Sequence, residues 1–366
     1  MHMSEDNVNL LWKYCSNLES INIRDLRMFN PHRASPFKNI STRLRYFRLG
    51  FPRDGAEIRD DVEKGLFEEF SRLPTLVSVE LLKFSCHAPI VAEFPAVHDK
   101  ILTISFQCKT NRQLLAVARV LNQLKALENL SLEFPQPRSR ERRDQLFEED
   151  VALPAHVDFP FNGQSLRIRG DASSKVFGFM IHPPFALRSL DVGMETLGPA
   201  LLQREVLIMP GISNLEELIL QANYPEHEDQ IGLVLTRATS LKKLYILVAD
   251  QTGWSYRGAH EYLQEHEARG VAEGPKTFDF VADFVQKSST VEEVALSIAT
   301  PLPFQLNENK FSVTDIKERL LQIKGEAQGS KLRCITVSVA RINENPWKMQ
   351  IIKDCLGIWR HHLLMV

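Results

Sequence analysis

The stretch Leu215-Glu216-Glu217-Leu218-Ile219-Leu220-Gln221-Ala222-Asn223 sets three apolar residues at spacings of three and two, LxxLxL, and closes on an asparagine. The last two apolar residues, two apart, share one face of a strand, while the first caps that strand from the preceding turn. One such phrase arises by chance in any amphipathic segment. Here it returns as Leu18-Ile21-Ile23, Leu44-Phe47-Leu49, Leu76-Val79-Leu81, Ile101-Ile104-Phe106, Leu127-Leu130-Leu132, Leu187-Leu190-Val192, Leu241-Leu244-Ile246, Val291-Val294-Leu296 and Leu332-Ile335-Val337. A degenerate copy, Gly163-Leu166-Ile168, divides the long interval between Leu127 and Leu187. The steps between first positions are 26, 32, 25, 26, 36, 24, 28 and 26 residues, then 50 and 41. Recurrence at that length marks a repeat array rather than a set of unrelated strands.

Each phrase offers one apolar row that it cannot bury alone, so the rows must stack into a parallel sheet with a continuous core behind it. The segments between phrases supply the outer layer. Residues 61–73 place Val62, Leu66, Phe67 and Phe70 on one helical face, and 111–124 do the same with Leu114, Leu115, Ala118, Val120 and Leu121, with Thr110 as a capping residue. Further helical patterns cover 197–206, 230–238, 278–287 and 313–323. The expected fold is therefore an α/β solenoid of about eleven irregular repeats, with a parallel concave sheet and convex helices.

On these residues the chain resembles an irregular leucine-rich-repeat domain from Leu18 to Val337, and Leu215 to Asn223 matches the family phrase LxxLxLxxN. The other repeats carry Leu26, Pro52, Phe84, Lys109, Pro135, Glu195, Ala249, Ala299 and Ala340 at the asparagine position, so the asparagine ladder of regular repeats is missing. Variable length and a degenerate consensus look more like the repeat domains of fungal F-box proteins. That resemblance implies the target-binding part of an SCF-type ubiquitin ligase receptor, joined to a Skp1-like adaptor through a segment upstream of this one.

Composition sets the limits on function. The 366 residues carry 44 basic and 46 acidic side chains, a formal net charge of −2, so no chain-wide field draws the protein to nucleic acid or anionic lipid. No apolar run reaches the roughly 20 residues that cross a bilayer, and the first residues lack the order of a signal peptide, giving the expectation of a cytoplasmic or nuclear protein. The five cysteines are scattered and never form CxxC, which argues against disulfides and thiolate zinc sites. Residues 1–17 read as a tag scar and partial cap, and 18–340 as the solenoid, with insertions at 133–161 and 249–275. Residues 341–366 read as a capping helix built on Trp347, Ile351, Ile352, Cys355, Leu356, Ile358 and Trp359.

The sequence holds no phosphate-cradling glycine loop and no nucleophile elbow. His260 and His266, six apart, fall about 120° from one another on a helix and cannot clamp one metal. A non-enzymatic binding module without cofactor or metal is expected. The variable residues inside each phrase face outward, and they include Arg24, Tyr46, Arg48, Arg167 and Arg169, then Lys243 and Tyr245. Tyr46 and Arg48 with Arg167 and Arg169 suggest a basic aromatic strip for an acidic or phosphorylated peptide, because the guanidinium fork matches carboxylates and phosphates. In the second insertion, Trp254, Tyr256 and Arg257 are the residue types of interface hot spots. The alternative reading is a scaffold subunit of a chromatin, kinetochore or regulatory complex.

Overall fold

Every copy of the repeat phrase, the degenerate one included, is a β-strand. The structure, a computed structural model, describes residues 2–23, 25–27, 40–50, 60–134, 151–152, 161, 163–169, 187–193, 211–222, 237–248, 288–300, 331–341, 347–353 and 359–365. The chain forms two units: the first comprises Met1–Pro135, Phe147–Gly170 and His182–Ala186, the second Gln136–Leu146, Asp171–Ile181 and Leu187–Val366.

The first unit contains β1 (His2–Ser4), β2 (Ser20–Ile23), β3 (Asp25–Arg27), β4 (Tyr46–Gly50), β5 (Ser78–Cys86), β6 (Ile101–Gln107), β7 (Asn129–Glu133) and β8 (Ser165–Arg169). Strands β2, β4, β5, β6, β7 and β8 pair side by side in that order, all parallel. His2 and Met3, read from the sequence as part of a scar ahead of the fold, belong to β1, which pairs with β3. The second unit contains β9 (Ser189–Gly193), β10 (Glu217–Ala222), β11 (Lys243–Val248), β12 (Glu293–Thr300) and β13 (Cys334–Arg341), again parallel and in sequence order.

The phrase fixes the register. Ile21 lies opposite Phe47 and Ile23 opposite Leu49, and Leu130 and Leu132 face Leu166 and Ile168. Leu218 and Leu220 face Leu244 and Ile246, and Val294 and Leu296 face Ile335 and Val337. The residue before seven of the parallel strands repeats a second device: its carbonyl accepts two successive N–H groups from the next repeat. Glu19 receives Arg45 and Tyr46 (2.8 and 3.1 Å), Glu128 receives Gln164 and Ser165 (2.8 and 3.0 Å), and Glu216 receives Lys242 and Lys243 (2.8 and 2.9 Å). Among the described pairings the break lies between β5 and β6, where the register shifts between Val79 and Glu80 and again between Glu80 and Ser85.

Six of the phrases are entered through a tight turn in which the N–H of the first leucine donates to the carbonyl three residues earlier; in the first, Leu18 donates to exposed Cys15 (3.2 Å). The other five pairs are Leu44 to Ser41, Leu76 to Leu73, Leu127 to Leu124, Leu215 to Ile212 and Leu241 to Ala238, and in these the earlier residue is buried. Hydroxyls in these turns tie one repeat to the last and serve where the asparagine ladder is absent. Ser41 Oγ donates to the Ser16 carbonyl (2.7 Å), Thr75 Oγ1 reaches the Thr42 and Leu44 carbonyls (2.7 and 2.9 Å), and Thr290 Oγ1 the Thr239 carbonyl (3.2 Å). In the degenerate copy, Gly163 holds the leucine position because a Cβ there would run into the ring of Phe161 and the carbonyl of Glu128. Phe161, 2% exposed, fills the volume that a leucine takes elsewhere.

Helices α1 (Glu5–Tyr14), α2 (Asp60–Arg72), α3 (Ala88–Ala92) and α4 (Asn111–Leu121) belong to the first unit. The expected face of α2 is the buried one, Val62, Leu66, Phe67 and Phe70; in α4 Leu114, Ala118, Val120 and Leu121 are buried, while Leu115 is only partly so and Val117 takes a buried place instead. Thr110 caps α4 by accepting the Gln113 N–H (3.2 Å), which satisfies one of the free donors of the first turn. Phe70 meets Phe47 of β4 edge-on with centroids 4.8 Å apart, and Phe67 stacks on Phe94 at 6.0 Å. Full burial of such a side chain stabilises by about 1.5–3 kcal/mol, so the aromatic cluster seats α2 behind the sheet.

The C-terminal reading needs correction. Residues 341–366 contain no capping helix among the described residues; Trp347–Lys353 (β14) and Trp359–Met365 (β15) are strands. Strand β14 pairs antiparallel with β13, and β15 antiparallel with β14. The last parallel strand is thus covered by a hairpin, which pairs its edge N–H and C=O groups as a helix could not. The expected helices at 197–206, 278–287 and 313–323, and that at 230–238 apart from Arg237 and Ala238, lie outside the described residues. So do the insertion at 249–275 and most of that at 133–161.

Candidate binding face

Strand alternation sends one set of side chains into the core and the other to the opposite face of each sheet. In β4 the inward Phe47 and Leu49 are 1% and 0% exposed, whereas Tyr46 and Arg48 stand on the outward face at nearly half exposure. The Arg45 guanidinium lies 5.7 Å from the Tyr46 ring centroid, within cation–π range. Arg48 is already engaged: its Nε sits 3.3 Å from Glu80 Oε2, on the residue directly opposite in β5.

Tyr46, Arg48 and Arg167 do not form one strip. Arg167 is on β8, four strand spacings from β4, or about 19 Å at the usual inter-strand distance. Along the row that ends at Arg167, the register brings up Ser105 of β6 and Ser131 of β7. Arg169 lies opposite Glu133. Arg24, Trp254, Tyr256 and Arg257 fall outside the described residues.

The second unit presents a different chemistry. Lys243 is held in register between Glu217 and Glu293, so the row alternates in sign across three strands. Ser189 Oγ donates to Glu217 Oε2 (2.8 Å) and Asp191 is 7% exposed. Burial, with the Glu293 carboxylate accepting its hydroxyl, pushes Tyr245 well above the ordinary phenol value. Just before the strands runs a second alternating row. Glu216 pairs with Arg188 (3.5 Å) and Lys242 (2.8 Å), and Glu292 with Arg333 (3.9 Å). The Lys242 ammonium holds the Glu216 carboxyl below its usual range.

Sequence reading missed a polar cluster in the first unit. Glu63 of α2, fully buried, accepts the His87 backbone N–H (2.7 Å) and faces His87 Nδ1 (3.1 Å), with Asp60 3.6 Å from the same nitrogen. Burial raises the Glu63 carboxyl above its ordinary value, and the hydrogen bond to Glu63 raises His87. The neighbouring Cys86 thiol is raised well above its usual range by burial. His87 is the N-cap residue of α3 and uses no side-chain cap of its own. The cluster therefore ties α2 to the start of α3, and a glutamate among apolar positions was its only trace in the sequence.

Among the described residues, no group of three or more His, Cys, Asp or Glu side chains is arranged to hold a metal ion, and no helix is long and apolar enough to cross a membrane. Compared with models of known protein families and with curated proteins, the chain matches neither a family nor a relative.

Proposed function

We propose that the chain is a non-enzymatic protein-recognition module, with the outward face of the first unit's sheet as its contact surface. The observation that carries this reading is Tyr46. A large aromatic residue stands half exposed beside Arg45 and Arg48, on a strand whose opposite face is locked into the core. Rigid aromatic and arginine side chains on a fixed scaffold are what binding hot spots use. The partner is a protein segment that is acidic or phosphorylated, and its carboxylate or phosphate takes Arg48 over from Glu80, an exchange that costs little because exposed ion pairs are weak.

By its leucine-rich-repeat resemblance, the module belongs to the target-binding part of an SCF-type ubiquitin ligase receptor, cytoplasmic or nuclear. Affinity purification of the full-length protein from its own cell tests this. Recovery of a Skp1-like adaptor and a cullin supports it, and a stoichiometric set of other subunits without them refutes it. The double variant Tyr46→Ala/Arg48→Ala should then lose the captured target while keeping its fold; undiminished capture refutes the choice of face. The alternating charges of the second unit favour a scaffold as the second reading, because Arg188, Lys242 and Arg333 are each already matched by a glutamate. Under it, deletion of 249–275 breaks the assembly and the Tyr46/Arg48 variant does not.

A further inference from the structure

The outward row of the first unit contains two buried hydroxyls with nothing to bond. Ser105 lies between Ile104 and Phe106, both fully buried in the core, so alternation sends its side chain to the opposite face. There it is only 1% exposed. Ser131 lies directly opposite on β7, and Arg167 directly opposite Ser131 on β8. The hydroxyl oxygens of Ser105 and Ser131 are out of reach of solvent, and neither has a hydrogen-bond partner. A buried polar group is normally satisfied, and two orphaned donors in successive positions of one row call for a shared acceptor.

We propose that Ser105, Ser131 and Arg167 form a subsite for an oxyanion, the carboxylate or phosphoryl group of a partner segment. Two hydroxyl donors about one strand spacing apart can each take one oxygen of such a group. The guanidinium has five donors, so it can bond an anion while keeping other partners. Thr103 and Asn129, the preceding pair on the same face, are bonded to each other, Asn129 Nδ2 to Thr103 Oγ1 at 3.0 Å, and so do not compete for the ligand. Glu133, two residues beyond Ser131, is the nearby carboxylate on β7; it lies opposite Arg169, so the local row is not net acidic.

This subsite rests on the outward face being the recognition surface, but it is tested without any partner. Isothermal titration calorimetry of the full chain with inorganic phosphate and with acetate, against chloride, should show saturable binding of at least one oxyanion. Phosphate alone identifies a phosphoryl subsite, and acetate alone a carboxylate subsite. In Ser105→Ala/Ser131→Ala the affinity should fall at least about tenfold, the equivalent of one good hydrogen bond to a charged group. The melting temperature should hold or rise, since the deleted hydroxyls bond nothing, and Ser131→Ala alone provides the readout if the double variant folds poorly. No saturable heat with either anion overturns the proposal. So does unchanged affinity in the variants, which would mean that the hydroxyls do not touch the bound anion. If anions bind and depend on the serines while Tyr46/Arg48 substitution spares target capture, the subsite stands and the recognition reading falls; the reverse result sinks the subsite alone.

Discussion

Removing the Glu63 carboxylate should be among the most costly single changes in the first unit. In Glu63→Ala the His87 N–H loses a 2.7 Å acceptor, and a buried donor left unsatisfied costs about 1–3 kcal/mol. The imidazole loses its 3.1 Å partner, a charge-assisted bond worth about 1.5–3 kcal/mol in favourable surroundings. Because the His87 side chain is 28% exposed, the lower part of that range applies. A loss of about 3–4 kcal/mol follows, comparable with breaking a buried pair from one side. Glu63→Gln keeps an acceptor for the N–H and gives up only the charge, so about 1–2 kcal/mol is expected. Urea unfolding, with native-state hydrogen exchange at the His87 amide, measures both. A Glu63→Ala protein within about 1 kcal/mol of wild type would refute the view that this carboxylate anchors α3.

The same pair sets a pH dependence. His87 is raised above 6.5 by Glu63, so its contribution is fully present below 6.5 and is lost as pH rises through the folded value. Glu63 is raised above 4.5 by burial, so the folded state also holds that proton more tightly, and stability again falls as pH climbs from 4.5. The other ionisable groups acting on the pair are Asp60 from α2, Lys109 just after β6, and the raised Cys86 thiol beside Glu63. Wild type should lose stability from pH 4.5 to beyond 6.5 more steeply than Glu63→Gln; parallel curves would show that the pair does not titrate as a unit.

Gly163→Ala should destabilise by about 1–3 kcal/mol, as overpacking does, because its Cβ must displace the Phe161 ring or the Glu128 carbonyl that registers β8; a neutral result in thermal unfolding would deny that crowding. Thr75→Val should cost about 1 kcal/mol and Thr75→Ser much less, because serine keeps the hydroxyl that reaches the Thr42 and Leu44 carbonyls. Equal losses in the two would assign the effect to shape instead. Native thiol titration should label exposed Cys15 and leave Cys86 and Cys108 unreacted until unfolding, since both are buried and burial pushes the Cys108 thiol up to about 12.

What the sequence by itself determined is whatever depends on period. Apolar residues at spacings of three and two specify a strand with one buried row, and recurrence specifies parallel stacking in a common register, so the eleven parallel strands were legible, together with α2, α4 and the Thr110 cap. The C-terminal hairpin was also written in short-range pattern, in the alternation Trp347-Lys348-Met349-Gln350-Ile351, but the adjacent pair Ile351-Ile352 and the apolar run after it matched a helix equally well. Short apolar segments carry that ambiguity until a neighbouring edge resolves it, and the free edge of β13 does so. Tertiary structure alone decided which outward residues meet. Arg48 finds Glu80 instead of Arg167, Ser131 lies between Ser105 and Arg167 in one row, and Glu63 finds His87 across 24 residues. Side-chain contact between outward residues of neighbouring repeats and the docking of one helix are long-range quantities, and no local spacing encodes them.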